Sequence, residues 1–173
     1  MIAAVRGGAD FDVRYVAFSL DQVHVPEGAP PVWEQDPSEW GSGVLALCYG
    51  IAVRDHFPEQ FLDAHMELFA ARHDHGARLK DEQVLRDAVA RAGIEPDAVS
   101  ELARDPRTLA TLAREHTEMV DGYEVFGVPT FVQGDEAVFI RFMERGDVDD
   151  LVRALDLLDW DRMNEFKRTR VPR

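Results

Sequence analysis

Cysteine is almost absent from this chain, with Cys48 the single example in 173 residues. A lone thiol excludes an internal disulfide and a CxxC redox pair within the sequence. Positive charge is also short: 19 Lys and Arg stand against 33 Asp and Glu, a formal net charge of −14. A surface that negative repels phosphate backbones and anionic lipid heads, which argues against nucleic acid and against a membrane surface as partners. No apolar run approaches the roughly 20 residues that a bilayer span needs. The opening Met1-Ile2-Ala3-Ala4-Val5-Arg6-Gly7-Gly8 lacks the basic and long apolar regions of an export signal, so a cytoplasmic protein is expected. Gly-rich phosphate loops, G-x-S-x-G and HExxH are missing too, as are repeats and low-complexity stretches. What remains is an ordinary globular mixture, 46% hydrophobic and 30% charged. The length suits one domain, or one domain carrying an insertion.

Three zones follow one another. In the first, FDVRYVAF over residues 11–18 is a near-continuous apolar run, as expected of a strand buried on both faces of a mostly parallel sheet. Before it, Ile2 to Val5 and then Gly7-Gly8 have the look of a last helical turn stopped by glycine. After it, Pro26, Pro30 and Pro31 mark a connector over 25–36. The second zone, 37–121, is helical throughout. Asp36-Pro37-Ser38-Glu39 signals a helix start, with Trp40, Val44, Leu47 and Ile51 on one face. Pro58 opens a second helix bearing Phe61, Leu62, His65 and Phe69; Asp81 and Gly93 bracket a third. Pro96 starts a fourth. Asp105-Pro106 begins a fifth, whose stripe is Leu109, Leu112, His116 and Met119, with Gly122 past its end. In the third zone, residues 130–133 and 137–142 flank Gly134-Asp135 as a hairpin. Asp147 then caps a helix with Val148, Leu151, Val152, Leu155 and Leu158 inward, and Trp160, Met163 and Phe166 add a final turn.

One segment carries chemistry beyond its packing. Phe126-Gly127-Val128-Pro129-Thr130-Phe131 puts proline at the first residue of a strand, where it removes a ladder donor. A simple strand-entry proline is one reading. A cis Val128–Pro129 bond is the other, since it costs only about 0.5–1 kcal/mol relative to trans. Such a bend leaves the Val128 amide and carbonyl free to pair with something outside the sheet.

The GVPTF step into a hairpin and then a capped helix, with a helical insertion after an early buried strand, resembles the DsbA family of thioredoxin-fold proteins. Val16-Ala17-Phe18-Ser19-Leu20 resembles its second strand, and Ala71-Arg72-His73-Asp74-His75-Gly76 its insert helices. Val138-Phe139-Ile140-Arg141-Phe142-Met143 and the NEFKRTRVP run of the tail resemble the actinobacterial cytoplasmic branch, and more loosely its mycothiol-linked members. The resemblance implies an α/β fold: a thioredoxin-like mixed sheet interrupted by an all-helical insertion. The thioredoxin-like part would take 1–36 and 122–173, and the insertion 37–121. It implies an oxidoreductase of the thiol–disulfide or low-molecular-weight-thiol type, with mycothiol or glutathione as cofactor. The partner would be a thiol or disulfide substrate, small molecule or peptide, in a cleft between the sheet and the insert. Val128, Pro129 and Thr130 would bind and position it.

The chain departs from the family at the first strand and the CPxC-like turn at a helix N-terminus, which lowers a thiol pKa there. Neither stands in this sequence. The expectation is a start placed too late, or a shortened pseudo-enzyme; either way no catalytic residue is assigned and the chain as it stands is expected to be inactive. A first strand missing from the sheet would expose an edge open to pairing with another chain, including a second copy.

Cys48 is no substitute nucleophile. It stands beside Leu47 and Tyr49 with no basic neighbour, as a buried inert thiol does. His73-Asp74-His75, with His65, is the only metal-like spacing, but an HxH pair needs a third ligand and fixed geometry; at a helix end these residues read as solvated. His65 and His116 sit on apolar stripes and read as satisfied core residues. Two rival functions remain: a non-catalytic acidic interaction module, and a metal-dependent enzyme using His65, His73 and His75.

Overall fold

The computed structural model describes residues 12–141, 148–156 and 160. Two compact units divide the chain, one running from Tyr15 to Met119 and the other built from 1–14 and 120–173.

The first unit is helical. A short helix α1 (Leu20–Val23) is capped by Ser19, whose hydroxyl accepts from the Gln22 amide. Two 3-10 turns follow, Val32–Glu34 and Pro37–Glu39. Helices α2 (Val44–His56), α3 (Phe61–His73), α4 (Glu82–Arg91), α5 (Pro96–Ala103) and α6 (Pro106–Tyr123) complete it, the last running on into the second unit. Helix α2, VLALCYGIAVRDH, is apolar on nearly every side, as a helix surrounded by others must be. It buries Val44, Cys48, Tyr49, Ile51, Ala52 and Val53 and packs against α3, α4 and α5. Leu68, Leu85, Val89, Val99 and Leu112 close the same core. Within it the Tyr49 hydroxyl is satisfied by Glu82 at 2.9 Å and Ser100 at 2.6 Å, as a buried phenol requires.

Several helix boundaries match their local signals. Asp81 caps α4 by accepting from the Gln83 amide, and Gly93 beyond it has φ +79°, the left-handed conformation that glycine adopts without strain. Pro96 occupies the first turn of α5. Other boundaries differ. Asp36 does cap a turn, but only the 3-10 turn Pro37–Glu39; Gly41-Ser42-Gly43 interrupts it and α2 begins at Val44, so Trp40 is not on that helix. Helix α6 runs through Gly122 to Tyr123, and Glu124, not glycine, takes the positive φ of 52°.

The strand expected over 11–18 is not one among the described residues: 12–18 join no sheet. Side chains of the helices take the place of ladder partners for this segment. Residues 15–36 thereby pack with the helical unit.

The second unit holds an antiparallel hairpin, β1 (Thr130–Gln133) and β2 (Glu136–Phe139), paired Thr130↔Phe139 through Gln133↔Glu136. Gly134, at φ +59°, makes the turn. The second strand starts one residue earlier than expected, at Glu136, and is shorter than 137–142 because it ends at Phe139. Helix α7 (Val148–Asp156) buries Leu151 and Ala154, while Val148 and Val152 are exposed. Asp147, Phe142, Leu158, Met163, Phe166, the helix end at 2–5 and the NEFKRTRVP run lie outside the described residues. No helix among those described is long and apolar enough to cross a membrane.

Candidate functional site

The approach to the hairpin is built from local sequence. Helix α6 stops at Tyr123, Val125 turns inward, and Phe126 is left 68% exposed. The Val128–Pro129 bond is cis. Pro129 has no amide to donate, but its carbonyl accepts from the Ile140 amide at 3.2 Å, which ties the turn to the end of β2. The Thr130 hydroxyl donates to the Gly127 carbonyl at 2.7 Å and fixes the other side. The Phe126 ring lies 5.2 Å from that of Phe139.

Val128 stands between these two ties, 44% exposed, and its amide and carbonyl bond to none of the described residues. Val128, Pro129 and Thr130 are thus brought into one turn, with Val128 and Pro129 exposed and Thr130 half-buried. Val128 keeps one N–H donor and one C=O acceptor that no described residue takes, on an exposed residue close to the exposed Phe126. An extended group can pair with both, as a β-strand pairs with an edge.

No thiol serves this turn among the described residues. Cys48 is fully buried in α2, and burial pushes its pKa up to about 12, which suppresses the thiolate that nucleophilic attack requires. The histidines are not gathered either. His65 is half-buried in a row of rings on α3, 5.5 Å from Phe61 and 4.7 Å from Phe69, and burial lowers its pKa. His73 and His75 are exposed. Groups of three or more His, Cys, Asp or Glu arranged to hold a metal do not occur among the described residues.

A second constellation was not foreseen from the sequence. Glu115, only 3% exposed, receives both Nη groups of Arg54, at 2.8 and 2.9 Å, and the Ala17 amide at 2.7 Å. Arg54 also donates to the Tyr15 carbonyl at 2.8 Å. The next residue, His116, accepts the Ser19 amide on Nδ1 at 3.2 Å. These are the contacts that replace a sheet partner for 15–19. Burial opposes the charge on Arg54, while its hydrogen bonds to Asp55 and Glu115 raise its pKa further. The available signal was Glu115 itself: three residues after Leu112, it falls on the buried stripe of α6, where a charge needs a partner.

The family model for the DSBA-like thioredoxin domain matches residues 11–156 of the chain. None of the curated proteins matches it.

Proposed function

The chain belongs to the DSBA-like thioredoxin domain family, a fold of the thiol–disulfide oxidoreductase type, and on that premise we propose that it binds a thiol or disulfide compound at Val128, Pro129 and Thr130. The ligand is a low-molecular-weight thiol such as mycothiol or glutathione, or its disulfide, lying extended along the turn. Its amide groups pair with the Val128 N–H and C=O. The observation that carries this reading is the main chain of Val128, an exposed residue whose amide and carbonyl bond to none of the described residues, held between the Thr130–Gly127 and Ile140–Pro129 hydrogen bonds. Redox chemistry is not supplied by these residues, because the one thiol of the sequence is buried in the helical core. The chain as it stands is therefore a binding protein without thiol-transfer activity.

Backbone NMR of the 173-residue chain, titrated with reduced and oxidised glutathione and with mycothiol, tests the proposal. Chemical-shift changes centred on Val128 and Thr130 are expected, with no turnover in insulin-reduction or thiol-transfer assays. Changes confined to other residues would overturn the binding reading. Activity lost in Cys48→Ser would overturn the reading of Cys48. A second reading, an acidic module that binds a basic protein, draws on the net charge of −14; it requires salt-sensitive association that leaves the Val128 amide unperturbed.

A further inference from the structure

The segment 15–19 is held on the helical unit by side chains, and one of them is an imidazole. His116 is 5% exposed, with its ring 4.4 Å from that of Phe18 and 5.6 Å from that of Trp33. Its Nδ1 accepts the Ser19 amide at 3.2 Å. A ring nitrogen that accepts an N–H carries no proton, so this contact exists only for the neutral imidazole with hydrogen on Nε2. Protonation places a second donor at Nδ1, facing the Ser19 N–H, and puts a cation between two aromatic groups out of contact with water. Ser19 itself is fully buried, and its hydroxyl is occupied in capping α1. Among the described residues His116 is the acceptor that the Ser19 amide has.

The charged groups on the elements around the ring do not compensate an imidazolium. On α6, Glu115 is committed to Arg54 and the Ala17 amide. On α1, Asp21 accepts from the Gly43 amide. The 3-10 turn that supplies Trp33 carries Glu34, which is exposed. Tyr15 is the titratable group of the held segment, and its ring packs on Phe61 and His65. Burial is the cause acting on His116, and it lowers the pKa from the ordinary 6.5.

We infer that His116 is a pH-gated latch: neutral, it holds Phe18 and Ser19 on the helical unit; protonated, it lets them go, while Glu115 and Arg54 keep residues 15–17 in place. Release uncovers Phe18 and the α6 surface beneath it, while the core of α2, α4 and α5, which includes Ala17 but not Phe18, stays closed. This device is independent of ligand binding at Val128.

Amide hydrogen exchange of the unmodified chain, followed by NMR from about pH 7.5 to pH 5 and corrected for intrinsic rates, reads the latch. The opening constant at Ser19 is expected to rise as pH falls below 6.5, by up to about tenfold per pH unit until the folded-state pKa is reached. Leu85, Val89 and Leu112 keep their protection. His116→Asn offers a carbonyl oxygen near the position of Nδ1 with nothing to titrate, and should flatten the pH dependence at Ser19. If that variant does not fold, histidine-selective 15N spectra of the unmodified protein decide instead. An unprotonated Nδ1 at neutral pH, titrating below 6.5, is the expected result; a protonated Nδ1 overturns the inference. Ser19 protection that is independent of pH, or lost in step with Leu85 and Val89, overturns it equally.

Discussion

Removing the carboxylate of Glu115 should be among the most damaging single changes available in the helical unit. Glu115→Ala leaves the Arg54 guanidinium, 19% exposed in its side chain, without the partner that holds both Nη groups, and strips the Ala17 amide of its acceptor. Breaking a buried ion pair by deleting one partner costs about 3–5 kcal/mol, and an orphaned buried amide about 1–3 kcal/mol. Arg54 retains Asp55 and the Tyr15 carbonyl, which moves the sum toward the lower end. A loss of about 3 kcal/mol is expected, a fall in Tm of roughly 6–12 °C for a chain of this length. Urea unfolding of Glu115→Ala, Arg54→Met and the double variant supplies the measurement. The double variant should be less damaged than the sum of the singles, because no charge is then left buried alone. A single-variant loss within about 0.5 kcal/mol of zero, or coupling below about 0.5 kcal/mol, would refute the claim that this pair anchors residues 15–17.

Other outcomes follow from separate contacts. A Cβ at Gly41 would collide with the Asp21 carboxylate that holds the Gly43 amide, so Gly41→Ala should cost about 1–3 kcal/mol in urea unfolding. Gly50, inside α2 with nothing within 4 Å of its would-be Cβ, is the opposite case, and Gly50→Ala should add about 0.5–1 kcal/mol. Cys48, pushed up to about 12 from 9.0, should react with a disulfide reagent about a thousandfold more slowly in the native state than after denaturation; equal rates would place it at the surface. His65 has a folded pKa below its ordinary 6.5 through burial, so its contribution to stability is full above that value and is lost as pH falls through the folded one. His65→Phe keeps the ring row on α3 without the titration, and its Tm should fall less than that of the unmodified chain between about pH 7 and pH 5.

The parts of this fold that could be read from sequence are those set by neighbours within a few positions. Asp81 before α4 and Gly93 after it, Pro96 at the start of α5, and Gly134 between β1 and β2 each act on adjacent backbone, and each stands where its signal puts it. Local signals misled where two competed. Asp36-Pro37 did start a turn, but glycines at 41 and 43 stopped it before a helix could grow. On α6, the eighteen-residue run of helix outlasted Gly122. The GVPT step was visible in the same local way, since proline at a strand entry is anomalous wherever it occurs.

Sequence alone determined the acidic surface, the all-helical middle, the hairpin and the single inert thiol, because composition and short-range periodicity specify them. The tertiary structure alone decided what becomes of residues 12–19. Their apolar run called for a strand, but a strand exists only where a second one supplies its hydrogen bonds. Here the acceptors are the side chains of Glu115 and His116, whose bonded residues lie 98 and 97 positions away. It also decided that Val128 is exposed and its main chain bonds to none of the described residues while its neighbours are tied. Pairing across such distances leaves no periodic trace, because it depends on which surfaces meet after the helices have packed.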